Sequence, residues 1–398
     1  MRASEILQEQ FEKELRPFHL ARLRVLFAAV FALFRCGRLS LTTLGRAIAE
    51  VTTHKHGIKR VDRLLGNAVL QATATQLAFY RAMAKRLVRA GSRPIVAVDW
   101  TAVTPTLWAL TAAVPVGGRA LTIYAETHPI SRYLKPAVNA EFLRRLAAVL
   151  PKCTPIIVAD AGFRTPFMKL VDALGWDYVV RVRGSRGHTT VLDARSRVRD
   201  ARSGARWKGL DTLYGLATRV PRDLGRYLIG HRVQYEVRLI AVRKRGKRVV
   251  RGLPRASGEA AKARRSAKEP WILATSMTTA KPKRVVRIYA QRMQIEETYR
   301  DAKCHRFGFA LSQARTTSAD RANLLLLIAA ITHLFAVLLG IVAETLRIDR
   351  QFQANTIRRR RVNSFATLGR YVMQTPAVLS LVLQRISWRH LRMRAEAV

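Results

Sequence analysis

The chain has 398 residues, with 71 Lys and Arg against 26 Asp and Glu, a formal charge of +45. The length gives room for about two to three domains, and a hydrophobic content of 49% excludes a wholly disordered or low-complexity protein. Three scattered cysteines, Cys36, Cys153 and Cys304, exclude a disulfide framework or a paired-cysteine zinc site and suit a reducing cytoplasm.

So large a charge repels itself in a compact chain, so a polyanionic partner is expected. The basic residues are spread along the sequence rather than gathered in one tail. That distribution suits a long nucleic-acid-binding surface better than a localisation tag.

The first twenty residues carry four glutamates and lack an apolar h-region, so no secretory signal is expected. Residues 1–75 read as helical. Leu20 to Phe34 is apolar-rich, and Ser40-Leu-Thr-Thr offers N-cap residues ahead of Leu44, Ile48 and Val51. In the stretch that follows, Lys59, Arg60 and Arg63 interleave with Ile58, Val61, Leu64 and Leu65. Such a helix suits a DNA-binding domain, and the same pattern also fits a solvated basic helix. His54 and His56 have no third ligand nearby in sequence and are expected in an exposed loop.

From about residue 90 the pattern changes. Ile95 to Val98 is a short apolar run ending at Asp99. Leu107 to Val114 and Ala120 to Ala125 read as strands joined by a turn at Pro115 to Gly118, with a helix near Ala140 to Leu150. Ile156 to Ala159 repeats the strand pattern and ends at Asp160; a helix near Thr165 to Leu174 and a strand at Tyr178 to Val182 follow. Hairpins followed by alternating strand and helix predict a mixed α/β domain rather than a doubly wound sheet. Residues 183–270, with Gly, Arg and Ser clusters and strand-like pieces such as Tyr235 to Val242, read as a β-rich insertion. Trp271 to Thr275 returns to a strand, and Val285 to Cys304 is predicted as one helix.

In a chain with so few acids, two carboxylates at the ends of buried strands mark the edge where sites collect in α/β sheets, although turns use Asp routinely as well. Tyr289, Arg292, Glu296 and Lys303 stand at offsets of 0, 3, 7 and 14. On a continuous helix they fall within roughly 60° of one another, while Glu297 and Asp301 are rotated away. An acid, two cations and a phenol on one face suit phosphate beside a metal ion. An ordinary solvated face with i,i+4 ion pairs has the same spacing.

Tyr289-x2-Arg292-x3-Glu296-x6-Lys303 resembles the Y-x2-R-x3-E-x6-K signature of the bacterial cut-and-paste DDE transposases of the insertion-sequence-four family. The strings VDWT around Asp99 and DAGFR from Asp160 are similar to that family's first and second acidic motifs. The resemblance covers essentially the whole chain. It implies an α/β, ribonuclease H-like catalytic core (residues 90–182 and 271–320) with the β-rich insertion at 183–270. An α-helical N-terminal DNA-binding domain (1–75) and a helical C-terminal region (321–398) would flank it. Asp99, Asp160 and Glu296 would be catalytic and would hold two Mg²⁺ or Mn²⁺ ions, which prefer oxygen ligands. Tyr289, Arg292 and Lys303 would hold the DNA backbone.

The implied activity is binding of terminal inverted repeats, cleavage through a hairpin, and joining of 3′ ends to target DNA. The implied assembly is a homodimer on double-stranded DNA, in the cytoplasm with the nucleoid and without a membrane. Trp271, opening a W-[LI]-L-x-T strand, resembles the tryptophan that stabilises a flipped base in this family; a core tryptophan beside the sheet is the other reading. Competing functions are a ribonuclease H-like nuclease without strand transfer and a non-catalytic transposase-derived DNA-binding protein.

Asn323 to Ala343 has no Asp, Glu, Lys or Arg and is long enough to span a bilayer, which admits a membrane-anchored protein as a third competitor. It is the sole such span and contains Asn323, Thr332 and His333, so a buried core helix is expected. Arg358 to Arg361 forms a basic run, either a DNA contact or solvated.

Overall fold

A computed structural model gives the fold and describes residues 5, 8–9, 11–15, 18–49, 53–184, 189–194, 207–244, 269–305, 308–357 and 359–396. It is a mixed α/β structure that divides into two compact units, residues 1–154 with 293–398, and residues 155–292.

The first unit opens with helices α1 (Leu20–Cys36), α2 (Leu41–Ile48), α3 (His54–Leu65) and α4 (Thr73–Leu87). Ser40 and Thr53 cap α2 and α3 by accepting the N–H groups of Thr43 and His56. The α2–α3 crossing is close because two glycines meet there. A Cβ on Gly57 would run into the Gly45 carbonyl, and one on Gly45 would lie 2.5 Å from the Ile58 Cα.

Strands β1 (Ile95–Ala102), β2 (Leu107–Val116) and β3 (Arg119–Pro129) form an antiparallel meander. The β2–β3 turn is Gly117-Gly118, with φ of 57° and 99°, values that suit glycine. Helix α5 (Pro136–Val149) follows.

The second unit holds β4 (Ile156–Ala159), α6 (Thr165–Ala173), β5 (Asp177–Val182), β6 (Thr190–Asp193), β7 (Lys208–Gly209), β8 (Arg222–Ile229), β9 (Tyr235–Val242), β10 (Trp271–Thr275) and α7 (Pro282–Gln291). Its strands run β4-β5-β10-β9-β8-β6-β7. β4 and β5 are parallel and linked by α6; the remaining pairs are antiparallel. The Gly-, Arg- and Ser-rich stretches at 185–188, 195–206 and 245–268 lie outside the described residues.

The chain returns to the first unit with α8 (Met293–Lys303), α9 (Ala319–Thr345), α10 (Phe365–Gln374), α11 (Pro376–Leu383) and α12 (Trp388–Glu396). Helix α9 contains the apolar span expected to be internal. It is long and apolar enough to cross a membrane, and 94% of its apolar window is buried inside the fold. It packs on α1, α10 and β3. The α9–α10 crossing also rests on glycine, since a Cβ on Gly340 or Gly369 would meet the Phe365 or Ala336 carbonyl.

Three expectations change. Asp99 lies inside β1 rather than at its end, because the β1–β2 register continues to Ala102 opposite Trp108. The run from 285 to 304 is two helices: the Arg292 N–H bonds the Tyr289 carbonyl at 3.1 Å, a tightened i−3 bond that closes α7. Glu296 and Lys303 therefore share α8, whereas Tyr289 belongs to α7 and Arg292 to the junction. His54 and His56 begin α3 instead of lying in a loop.

Alternation along the meander gives each face its own partners. Ala97, Ala113 and Ala120 receive Ile295 of α8. The opposite face carries Tyr124 and Glu126, met by Tyr80 of α4 and by Phe142 and Arg145 of α5.

Glu126 is 5% exposed and accepts bonds from the Tyr124 hydroxyl (2.5 Å) and Arg145 Nη1 (2.8 Å), with His128 Nε2 at 2.9 Å. Burial alone would raise its pKa. The His128, Tyr124 and Arg145 partners outweigh burial and hold it below the ordinary value. A depressed folded pKa contributes stability that is full above the unfolded value of about 4.3 and lost as pH falls through the folded value. Glu126→Ala should cost about 1–3 kcal/mol, because it leaves the buried Tyr124 hydroxyl without its acceptor while Arg145 keeps Glu141 at 2.7 Å. It should also flatten the acid limb of a melting-temperature profile taken from neutral pH downward.

Candidate active site

In the first unit, Asp99 stands opposite Thr111, and Thr101 is two residues further along β1 on the same face. Asp99 Oδ1 accepts the Trp100 N–H at 2.9 Å. Helix α8 lies across this face. The Tyr299 hydroxyl donates to the Asp99 carbonyl at 3.1 Å, and Lys303 Nζ donates to Thr101 Oγ1 at 2.6 Å. Burial lowers the Lys303 pKa, and the Asp99 carboxylate opposes that shift. Glu296 is exposed in the first turn of α8, where the helix dipole favours a carboxylate. The two acids rotated away from this face are occupied elsewhere, Asp301 by Arg119 (2.6 Å) and Glu297 by Arg300 (2.9 Å).

The register of α8 is fixed by the outer edge of β3. Ala120 N–H donates to Thr298 Oγ1, whose hydroxyl donates back to the Ala120 carbonyl, both at 2.9 Å. Gln294 Oε1 accepts the Gly118 N–H at 3.0 Å. Further along β3, Asn323 of α9 accepts the Thr127 N–H at 2.7 Å. These side chains satisfy backbone groups on a strand edge that would otherwise invite pairing.

In the second unit, Asp160 follows β4 directly, and its Oδ1 accepts the Gly162 N–H at 2.8 Å. Trp271 opens β10 opposite Val242 and is half-buried. The Tyr289 ring meets it edge-on, 4.6 Å between centroids at 80°, and Lys244 Nζ lies 3.5 Å over it. Tyr289 is only 2% exposed. Burial raises its pKa, as does Asp160, while Arg292 and Arg181 pull it down. Arg181 is buried on β5 with long contacts, 3.5 Å to the Glu269 and Pro270 carbonyls and 3.8 Å to the Glu269 carboxylate. The Lys244 pKa is lowered by burial, then by Arg181 and Arg292. Cations therefore crowd one another here and favour an anionic ligand.

Sequence reasoning missed Arg181, Lys244 and Thr101. Arg181 carried a signal, a charge inside the apolar strand Tyr178 to Val182. Thr101, two residues past Asp99, carried a weaker one. Lys59, Arg60 and Arg63 lie on the exposed face of α3, whose buried face is Val61, Leu64 and Leu65.

Among the described residues no group of three His, Cys, Asp or Glu side chains is gathered as a metal ion needs. Asp99, Asp160 and Glu296 nevertheless offer oxygen donors alone, the type that Mg²⁺ and Mn²⁺ take.

Residues 121–333, more than half of the chain, match the transposase DDE domain family. The chain belongs to that family. The matched span of this transposase includes Asp160, Trp271, Tyr289, Arg292, Glu296 and Lys303 and begins beyond Asp99. The cryo-EM structure of a piggyBac transposase synaptic complex with hairpin DNA is similar at 10% sequence identity and a TM-score of 0.44, covering 99% of this chain and 82% of that one. No curated protein matches the transposase sequence.

The α8 anchor is testable by itself. Thr298→Val should leave the buried Ala120 amide and carbonyl without their partner and cost about 1–3 kcal/mol. Thermal melting beside the wild type checks it; an unchanged melting temperature would show that Thr298 does not fix α8.

Proposed function

We propose that this transposase is a bacterial cut-and-paste enzyme of the insertion-sequence-four type, with a ribonuclease H-like core in which Asp99, Asp160 and Glu296 act as one catalytic set. The observation that carries this reading is the α8–β1 latch. Tyr299 and Lys303 hold the helix bearing Glu296 against the strand bearing Asp99. The Y-x2-R-x3-E-x6-K spacing and the VDWT and DAGFR strings support it further.

The three carboxylates would hold two Mg²⁺ or Mn²⁺ ions, which, when bound, stabilise charge on phosphoryl oxygens and acidify the attacking hydroxyl. Lys303, held to Thr101 beside Asp99, places a cation next to the phosphate being cut. Arg292 would pair with phosphodiester oxygens, and the buried Arg181 adds positive potential beneath it. Tyr289, packed edge-on against Trp271, would join Arg292 and Lys303 in holding the DNA backbone. A base leaving the duplex stacks on Trp271.

The reaction is hydrolysis of one strand at the element end, attack of the freed 3′-hydroxyl on the opposite strand to give a hairpin, hairpin opening, and joining of the 3′ ends to target DNA. Lys59, Arg60 and Arg63 on α3 bind the terminal repeats. A homodimer brings two ends together, and the setting is the nucleoid of the cytoplasm.

Asp99→Ala, Asp160→Ala and Glu296→Ala should each abolish nicking of a duplex spanning the element end in Mg²⁺, with DNA binding nearly retained in a gel-shift assay. A Glu296→Ala protein that still nicks overturns the assignment. Binding should also weaken steeply with salt, because phosphate contacts release counterions. An affinity equal at low and physiological ionic strength would contradict a charge of +45 being used on DNA.

A further inference from the structure

We propose that the segment Ile130 to Lys135, between β3 and α5, is a preformed DNA-contact loop that grips the duplex a few base pairs from the cleaved phosphate. The distance to that phosphate rests on the catalytic reading of Asp99; the DNA contact does not.

Four observations carry it. First, the loop exposes apolar surface: Ile130 is 52% and Tyr133 39% exposed. Second, Tyr133 is held as a platform. Its ring lies 4.7 Å from Trp108 and 5.5 Å from Trp100, and Trp100 is the neighbour of Asp99 on β1.

Third, the backbone is pinned. The Ile130 N–H bonds the Thr106 carbonyl at 3.0 Å, the Tyr133 N–H bonds Ile130 at 3.0 Å, and the Lys135 N–H bonds Arg132 at 3.2 Å. Leu134 adopts φ +56°, a left-handed conformation that a non-glycine residue takes only when its surroundings impose it. Fourth, Arg132 and Lys135 are exposed, and no Asp or Glu occurs from Thr127 to Ala140. An exposed ring between two exposed cations, with an isoleucine just before them, matches what nucleic acid offers, phosphate beside base surface.

The register sets the reach. Asp99 pairs with Thr111, which pairs with Ala125, and Ile130 comes five residues later along the same direction. At about 3.3 Å per residue that is about 16 Å along the strand, or roughly four to five base-pair steps of duplex.

Binding to a random-sequence duplex tests the loop independently of cleavage. Replacing Arg132 and Lys135 by alanine should lower the slope of log affinity against log salt by roughly 0.9 for each phosphate no longer neutralised. Tyr133→Ala should weaken binding roughly tenfold, with Tyr133→Phe restoring it. Ile130→Ala, at an exposed position, gives the same direction with an unaltered melting temperature. A photo-crosslinking amino acid at Ile130 should label a duplex spanning the element end about four to five base pairs from the nick. Unchanged slopes and affinities, or crosslinks to a second copy of the chain instead of DNA, overturn the loop. A wild-type protein that fails to nick overturns the catalytic reading while the binding arms still decide the loop.

Discussion

The first unit depends on how one short helix is held to one edge strand. Helix α8 is too polar to be retained by apolar burial alone; Ile295 is its chief apolar anchor, set among Ala97, Ala113 and Ala120. The rest is polar: Gln294 on the Gly118 amide, Thr298 on both backbone groups of Ala120, and Asp301 on Arg119. Bonds to backbone are directional and cannot slide, so they fix the rotation of α8 as well as its position. That rotation brings Tyr299 and Lys303 to β1 and sets Glu296 on the same side.

Small residues make this possible. Alanines at 97, 113 and 120 let the helix approach the sheet closely enough for a threonine hydroxyl to reach the strand. The opposite face is built differently, from the Glu126 network and aromatic rings. The two faces thus divide the work: one is a rigid support, the other presents strand backbone and carboxylate to α8.

Much of this was legible in the sequence. The strands around Asp99 and Asp160 were legible because each is a short run rich in β-branched residues, too short for a helix and ending at an acid. The apolar span from Asn323 to Ala343 was legible as an internal helix from its lone occurrence and its Asn, Thr and His residues. The break at Arg292 was not legible. No proline or glycine marks it, and helical spacing continues on both sides. The position of Asp99 within β1 was hidden for a related reason, since Trp100 and Thr101 give no strand-ending signal and the hairpin register decides. Arg181 and Lys244 become visible only once β5, β9 and β10 are paired and bring them near Trp271 and Tyr289.

Asp99, Asp160 and Glu296 are proposed to serve a common divalent-ion centre. Iron-directed cleavage tests it most directly: Fe²⁺ in place of Mg²⁺, with ascorbate and a duplex spanning the element end, generates radicals that cut the polypeptide near the bound ion. Backbone cuts are expected close to residues 99, 160 and 296, suppressed by excess Mg²⁺ and absent in Asp160→Ala. Cuts confined to one of these segments, or located elsewhere in the chain, would contradict it.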